Sequence, residues 1–134
     1  KLEPVTLEEM LERAEGYRRM VFNVLASSCD DHAKILSFSL DKGGQWQLAP
    51  AYDVTHAYNP NGEWTYQHLM SVNGKFRNIN RADLESVGDR YLVPGYRDII
   101  RQVSAALARW PEFAGAAEVP DDEMRRIQND FPVV

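Results

Sequence analysis

The chain has 134 residues, 44% of them hydrophobic, which suits one compact domain with a buried core. Its 15 basic and 20 acidic side chains give a formal net charge of −5, the wrong sign for a domain that binds nucleic acid by neutralising phosphates. No apolar stretch approaches the roughly 18 residues of a membrane span, and the single cysteine, Cys29, cannot form an internal disulfide. We therefore expect a cytoplasmic domain that binds neither membranes nor nucleic acid directly.

The first predicted element is a long amphipathic helix. Thr6 and Glu9 have the spacing of a capping box, in which each side chain accepts a hydrogen bond from the backbone amide of the other residue. Apolar residues then recur at three- and four-residue steps to about Leu25, which is typical of a helix with one buried face. Small and polar residues at 27–32 end the pattern, because such side chains compete for backbone hydrogen bonds. We expect a core helix followed by a polar loop.

A β-hairpin is predicted next. Residues 35–40 and 45–48 alternate between apolar and polar side chains, and Asp41-Lys42-Gly43-Gly44 between them supplies turn residues that tolerate positive φ. Residues 50–62 suit an irregular segment, and residues 64–72 favour neither a helix nor a strand. The hairpin is therefore the one sheet that the sequence predicts.

The second half of the chain is predicted to be helical. Asn80 can cap a helix that runs to about Asp89, Pro94 stands at the first turn of a longer helix that Pro111 interrupts, and Pro120 opens a last amphipathic helix. The predicted fold class is therefore α+β and mainly helical, with one β-hairpin after the first long helix.

Polar residues that could carry chemistry cluster at the two ends of the predicted hairpin. Asp30, Asp31, His32 and Lys34 precede its first strand, and Asp53 follows its second. Because a tight hairpin returns the chain to its starting edge, we expect Asp53 to lie close to Asp30. Phosphoryl transfer requires a carboxylate that accepts a hydroxyl proton, a carboxylate that holds Mg²⁺ and a cation that balances negative charge. These residues therefore fit a kinase catalytic loop.

Two segments around the hairpin resemble the signature of the HipA family. The chain reads VFNVLASSCDDHAKILSFSL and then WQLAPAYDVT, where the family typically reads FN-x-L, D-x-H-x-K-N and L-x-P-x-Y-D. NGKFRNI and LARWPEF are also similar to the family's C-terminal helical region, so the resemblance extends from Arg18 to Phe113. It implies the C-terminal lobe of a protein-kinase-like fold, as a single domain over residues 1–134. The start at Lys1 suggests a fragment of a longer kinase whose N-terminal ATP-binding lobe is absent here.

The resemblance also implies an activity and partners. HipA kinases transfer a phosphoryl group from Mg·ATP to a protein serine or threonine, and the known type is a toxin that phosphorylates glutamyl-tRNA synthetase and is restrained by a DNA-binding HipB antitoxin. The expected cofactors are Mg²⁺ and ATP, both dependent on the missing lobe. The expected partners are a HipB-like antitoxin and a protein substrate such as an aminoacyl-tRNA synthetase.

By the same resemblance, four residues receive roles. Asp30 matches the catalytic aspartate that orients and deprotonates the substrate hydroxyl, and Asp53 matches the Mg²⁺-binding aspartate. Lys34 matches a position that could contact the transferring phosphoryl group and the nucleotide. His32 matches a position that could brace the loop or face the nucleotide.

One position departs from the family pattern. The family has asparagine directly after the lysine, whereas this chain has Ile35. Isoleucine offers no oxygen, so a Mg²⁺ ion held there would lose one protein ligand. A catalytically impaired pseudokinase that docks an antitoxin-like partner is therefore the alternative function.

Other readings of the same residues stay open. Carboxylates and imidazoles can jointly hold Mn²⁺ or Zn²⁺, so a metal-dependent hydrolase is a further alternative. Its ligands would be Asp30, Asp31, His32, Asp53 and His56. The aspartates can equally be turn and cap residues, His32 a structural hydrogen-bonding residue and Lys34 a solvated charge. His56 and His68 are otherwise interpreted as loop or surface residues.

Overall fold

The computed structural model describes residues 6–134, which form five α-helices, a short 3₁₀ helix and one two-stranded antiparallel sheet. In chain order they are α1 (Leu7–Leu25), the 3₁₀ helix (Ala33–Ile35), β1 (Phe38–Leu40), β2 (Trp46–Leu48), α2 (Arg81–Arg90), α3 (Tyr96–Ala108), α4 (Trp110–Ala116) and α5 (Asp121–Asn129). This order confirms the predicted class, α+β and mainly helical, with the hairpin after the first long helix. Within the described residues, no helix is both long and apolar enough to cross a bilayer.

The capping box predicted for α1 is present. The Thr6 hydroxyl accepts a hydrogen bond from the Glu9 amide at 3.2 Å, and the Glu9 carboxylate accepts one from the Thr6 amide at 2.7 Å. A second capping box, between Asn80 and Asp83, begins α2. Both helices therefore begin where local side-chain chemistry satisfies the first free amides.

The hydrophobic core lies where α1 packs against α3, with α2 beside α3. Its buried side chains are Tyr17, Val21, Val24, Leu25, Val72, Ile79, Leu84, Val93, Tyr96, Ile99, Ile100 and Val103. Two tyrosine rings meet in it edge to face, because Tyr17 and Tyr96 have centroids 6.0 Å apart at an interplanar angle of 72°. The Tyr17 hydroxyl donates to the carbonyl oxygen of Leu84 at 2.7 Å, so this buried polar group is satisfied.

The hairpin stands on the surface. Its register pairs Phe38 with Leu48, Ser39 with Gln47 and Leu40 with Trp46. The turn is closed by Asp41, whose carboxylate accepts the Gln45 amide at 2.9 Å, and by Gly44, whose φ of 80° requires glycine-like freedom. β1 begins later than the predicted start at residue 35, because the chain first forms the 3₁₀ helix.

Two features of the helical half differ from the prediction. Pro94 lies before α3 and not in its first turn, because Gly95 adopts a left-handed conformation with φ 65° and the helix begins after it. The chain also forms another helix directly after α3, because Pro111 stands in the first turn of α4. Backbone amides in a first turn have no acceptor within the helix, so proline is tolerated there. The last helix, α5, follows Pro120 as predicted.

A buried carboxylate joins α2 to the turn that precedes it. Asp83 accepts hydrogen bonds from the Asn73 side chain at 3.0 Å, from the Lys75 ammonium at 2.9 Å and from the Asn80 amide at 2.9 Å. Burial opposes ionisation, but these hydrogen bonds outweigh it and lower the pKa of Asp83 from 3.8 to about 2. Because the folded pKa is the lower one, the network stabilises the fold above about pH 4 and loses that contribution as the pH falls towards 2.

We therefore expect Asp83→Asn to lower the free energy of unfolding at neutral pH by about 2 kcal/mol and to flatten the loss of stability in acid. Urea unfolding at a series of pH values from neutral down to that of the Asp83 transition measures both effects. Asp98→Asn is the control, because Asp98 forms only an exposed ion pair with Arg101. A difference between wild type and Asp83→Asn that does not shrink in acid would contradict the assignment.

Candidate functional site

The polar loop after α1 begins with a helix-ending motif that sets its course. The Ser28 amide donates to the carbonyl of Asn23 at 3.0 Å and the Ser27 amide to that of Val24 at 3.4 Å, the pattern of a Schellman motif. Ser27 takes the left-handed position, with φ 52°, where glycine is usual. Its hydroxyl donates to the carbonyl oxygen of Asp130, so the C-terminal segment fastens the start of the loop.

Asp30 leaves this loop with an accessible carboxylate. Its side chain is 47% exposed, and Nε2 of His32 lies 3.8 Å from Oδ1 of Asp30. That distance is an ion-pair contact but too long for a hydrogen bond. Within the described part of the chain, Nδ1 of His32 is buried and has no hydrogen-bond partner. Because its side chain is 47% exposed, the Asp30 carboxylate is accessible to a hydroxyl group.

The neighbouring aspartate is in the opposite situation. Asp31 is only 3% exposed, and its Oδ2 accepts a hydrogen bond from Nδ1 of His68 at 2.8 Å while its Oδ1 accepts one from the Leu69 amide at 2.7 Å. Because an ionised carboxylate can only accept, Nδ1 of His68 carries the hydrogen. His68 lies in an irregular segment, as predicted, but at 7% exposure it is buried and not a surface residue.

The hairpin brings the segment after β2 back onto the segment before β1. The Ala49 amide donates to the carbonyl of Ser37 at 2.8 Å, and the Tyr52 hydroxyl donates to the carbonyl of Lys34 at 2.7 Å. Asp53 follows Tyr52 directly, and Lys34 stands four residues after Asp30. The backbone segments that carry the two aspartates are thus fastened together, while the close approach of their carboxylates stays a prediction.

Asp53 itself is exposed and holds a left-handed backbone conformation, with φ 54°. Positive φ is uncommon outside glycine, and Asp is one of the residues that tolerate it. Asp53 and Ile35 both line a cleft of about 360 Å³ between α1, α3 and the segment after the hairpin. Asp53 can offer oxygen to a cation in this cleft, and Ile35 cannot. The residues present therefore fit a Mg²⁺ ion only in part.

Two further residues of reactive types, Cys29 and His56, do not contribute to the candidate site. Burial, with smaller contributions from Asp31 and Asp130, raises the pKa of Cys29 to about 12, so its thiol is protonated at neutral pH and is a poor nucleophile. His56 lies in a different place from Asp30, with its Nε2 3.1 Å from Oδ2 of Asp130 near the end of α5. Neither residue extends the candidate site.

The hydrolase reading finds no support. Among residues 6–134, no three His, Cys, Asp or Glu side chains form a group that could hold a metal ion. Both oxygens of Asp31 are occupied by protein donors, and Nε2 of His56 lies 3.1 Å from Oδ2 of Asp130 without a hydrogen bond between them. The proposed ligands of such a site thus face different neighbours.

Sequence reasoning missed the contact between Asp31 and His68. It grouped Asp31 with possible metal ligands and left His68 among the loop or surface residues. The two are 37 positions apart, in segments without helical or strand periodicity, so no local pattern indicates the pairing.

Comparison with known families supplies a match across nearly the whole chain. The family model described as HipA-like C-terminal domain matches residues 4–127. This range contains α1, the hairpin and all four residues predicted for the site. Comparisons with curated proteins and with solved structures find no match.

Proposed function

Because this chain belongs to the HipA-like C-terminal domain family, we propose that it is the catalytic-loop lobe of a serine/threonine protein kinase. The reaction is transfer of a phosphoryl group from Mg·ATP to a hydroxyl group of a protein. The observation that carries the proposal is the hydrogen bond from Tyr52 to Lys34, which fastens the Asp53 segment to the loop of Asp30. A kinase needs both carboxylates at one place.

Each of the four residues has a role that suits its surroundings. Asp30 accepts the proton of the attacking hydroxyl, and its partly exposed carboxylate leaves room for that group. Asp53, exposed at the cleft, holds the cation, which neutralises phosphate charge when bound. Lys34 balances the charge of the transferring group through its exposed ammonium, and His32 stands beside Asp30, with its Nε2 3.8 Å from that carboxylate.

The nucleotide needs a second lobe. We propose that residues 1–134 form a single domain and that the phosphate-covering loop, the ATP-pairing lysine and the adenine pocket belong to another part of the full-length protein. The isolated chain is therefore expected to bind Mg·ATP weakly at best. Isothermal titration calorimetry measures this, with circular dichroism confirming that the chain is folded. Micromolar binding of Mg·ATP by the isolated chain would contradict the two-lobe proposal.

A pseudokinase that docks a partner is the second candidate function, and Ile35 is the observation that favours it. Ile35 lines the cleft beside Asp53, where the family's asparagine would place an amide oxygen. The hairpin also exposes Phe38, Leu40 and Trp46, an apolar surface of the kind that protein partners cover. Stable capture of a partner without phosphotransfer by the full-length protein would favour this candidate over the active kinase.

The physiological setting follows from the family alone. We propose a toxin–antitoxin kinase of the cytoplasm, with a HipB-like antitoxin as its partner and an aminoacyl-tRNA synthetase as its substrate. The net charge of −5 supports a division of labour in which any DNA contact belongs to the antitoxin. Phosphotransfer from Mg·ATP to purified glutamyl-tRNA synthetase tests the substrate.

A further inference from the structure

One attachment of the loop that carries Asp30 to the rest of the fold runs through the residue next to it. Asp31 reaches across to the segment that contains His68 and Leu69 and accepts one hydrogen bond from each, at 2.8 Å and 2.7 Å. Both Asp31 and His68 are buried. The segment is itself held, because the His68 amide donates to the carbonyl of Phe76 at 2.9 Å. The attachment is thus short, charged and shielded from water.

Asp30 has little of its own to fix its direction. Its carboxylate is partly exposed and lies 3.8 Å from Nε2 of His32, too far for a hydrogen bond, so its position depends on the backbone that carries it. That backbone is held by Asp31 and, three residues later, by the hydrogen bond from the Tyr52 hydroxyl to the carbonyl of Lys34. Asp31 is only 3% exposed whereas the Asp30 side chain is 47% exposed, so the two adjacent carboxylates lie in different environments.

We infer that Asp31 and His68 form a positioning pair, which holds Asp30 in the orientation that phosphoryl transfer requires. This inference rests on the proposed function, because it assigns the pair to the same reaction. Neither residue touches the reacting atoms. The pair acts by holding the loop, and a displacement of about 1 Å at a reacting group can lower a rate by about 100-fold. His68 contributes a single N–H donor, so a side chain with a donor at the same place can substitute for it.

The test compares variants of the full-length protein in steady-state phosphotransfer from Mg·ATP to glutamyl-tRNA synthetase. Asp31→Ala removes both accepting oxygens and is expected to lower kcat by about 10- to 100-fold while the KM for ATP stays close to that of wild type. His68→Leu removes the donor and is expected to act in the same way. His68→Asn retains an N–H near the place of Nδ1 and is expected to keep most of the activity.

A matched control separates positioning from general loss of stability. Tyr17→Phe removes one buried hydrogen bond, the one to the carbonyl of Leu84, at a distance along α1 from the loop. It is expected to lower the unfolding temperature without changing kcat. A readout that does not need activity is amide hydrogen exchange, where His68→Leu should speed exchange at Leu69 and its loop partners and Tyr17→Phe should not.

The outcomes distinguish this inference from the proposed function. If Asp30→Asn keeps wild-type activity, the proposed function fails, whatever happens at Asp31. If Asp30→Asn is inactive but His68→Leu and His68→Asn have the same kcat, the positioning pair is overturned. Equal loss of kcat in Tyr17→Phe and His68→Leu would also overturn it. If Asp31→Ala does not fold, the two His68 variants decide, and if the wild type is inactive, hydrogen exchange decides.

Discussion

Asp30→Asn is expected to lower phosphotransfer by the full-length protein by about 100- to 10,000-fold, because an amide cannot accept the proton of the attacking hydroxyl. Asparagine has nearly the same shape as aspartate, and the Asp30 side chain is partly exposed, so the fold should be unaffected. The kcat with Mg·ATP and glutamyl-tRNA synthetase measures the effect, and unfolding temperature verifies the fold. Wild-type activity in this variant would remove Asp30 from the mechanism.

Ile35→Asn is expected to raise the activity of an active kinase, whereas Asp30→Asn is expected to lower it. It places an amide oxygen in the cleft beside Asp53, where the family pattern has one. An active kinase that works with an incomplete cation site should gain activity and need less Mg²⁺. If the wild type is inactive and Ile35→Asn alone restores phosphotransfer, the natural protein is a pseudokinase. If Ile35→Asn does not change the Mg²⁺ concentration that activity requires, the missing ligand does not belong at position 35.

Gly88→Ala is expected to destabilise the fold by about 2–3 kcal/mol, although alanine is ordinarily the better helix residue. An added Cβ would lie 2.4 Å from Cγ of Tyr96 and under 3.0 Å from two further ring carbons. The ring cannot move aside easily, because it packs against Tyr17 and its hydroxyl donates to the Asp89 carboxylate at 2.8 Å. Urea unfolding measures the change in free energy.

Gly16→Ala in α1 is the matched control. Both glycines lie within helices, but a Cβ at Gly16 meets nothing within 4 Å. Without the steric term, the substitution should stabilise the protein by about 0.5–1 kcal/mol through lower backbone entropy of the unfolded chain. If Gly88→Ala were as stable as Gly16→Ala, the close approach between α2 and Tyr96 would not be the constraint that we assign to it.

Elements whose ends are set by side chains a few residues apart were predictable from the sequence. The capping boxes at Thr6 and Asn80 begin helices because their partners stand three residues away, and the turn after Asp41 closes because glycine permits positive φ. The predicted start of α3 was wrong, also for a local reason. Pro94 fits the first turn of a helix, but Gly95 adopts a left-handed conformation that the sequence does not reveal. Residue propensities alone do not show whether a glycine at this place joins the first turn of the helix or takes a left-handed conformation before it.

The candidate site likewise has some features that the sequence determines and others that only the tertiary structure decides. The signature residues Asp30, His32, Lys34 and Asp53 about a hairpin are a property of the amino-acid sequence, and with the segments around them they were sufficient to predict the family that the family match confirms. Helical periodicity and the hairpin pattern predicted the fold class that the structure confirms. That information is local, because it depends on residue types at short spacings and on a turn that joins neighbouring strands.

Tertiary structure alone decided which of two adjacent aspartates is free. Asp31 is buried, and its carboxylate is bonded to a histidine and an amide from a segment 37 and 38 positions away, whereas the Asp30 side chain is 47% exposed. Such pairings arise when a carboxylate and its donors leave water together, so burial and not spacing selects the partners. Two residues that are chemically identical in the sequence thereby acquire opposite environments.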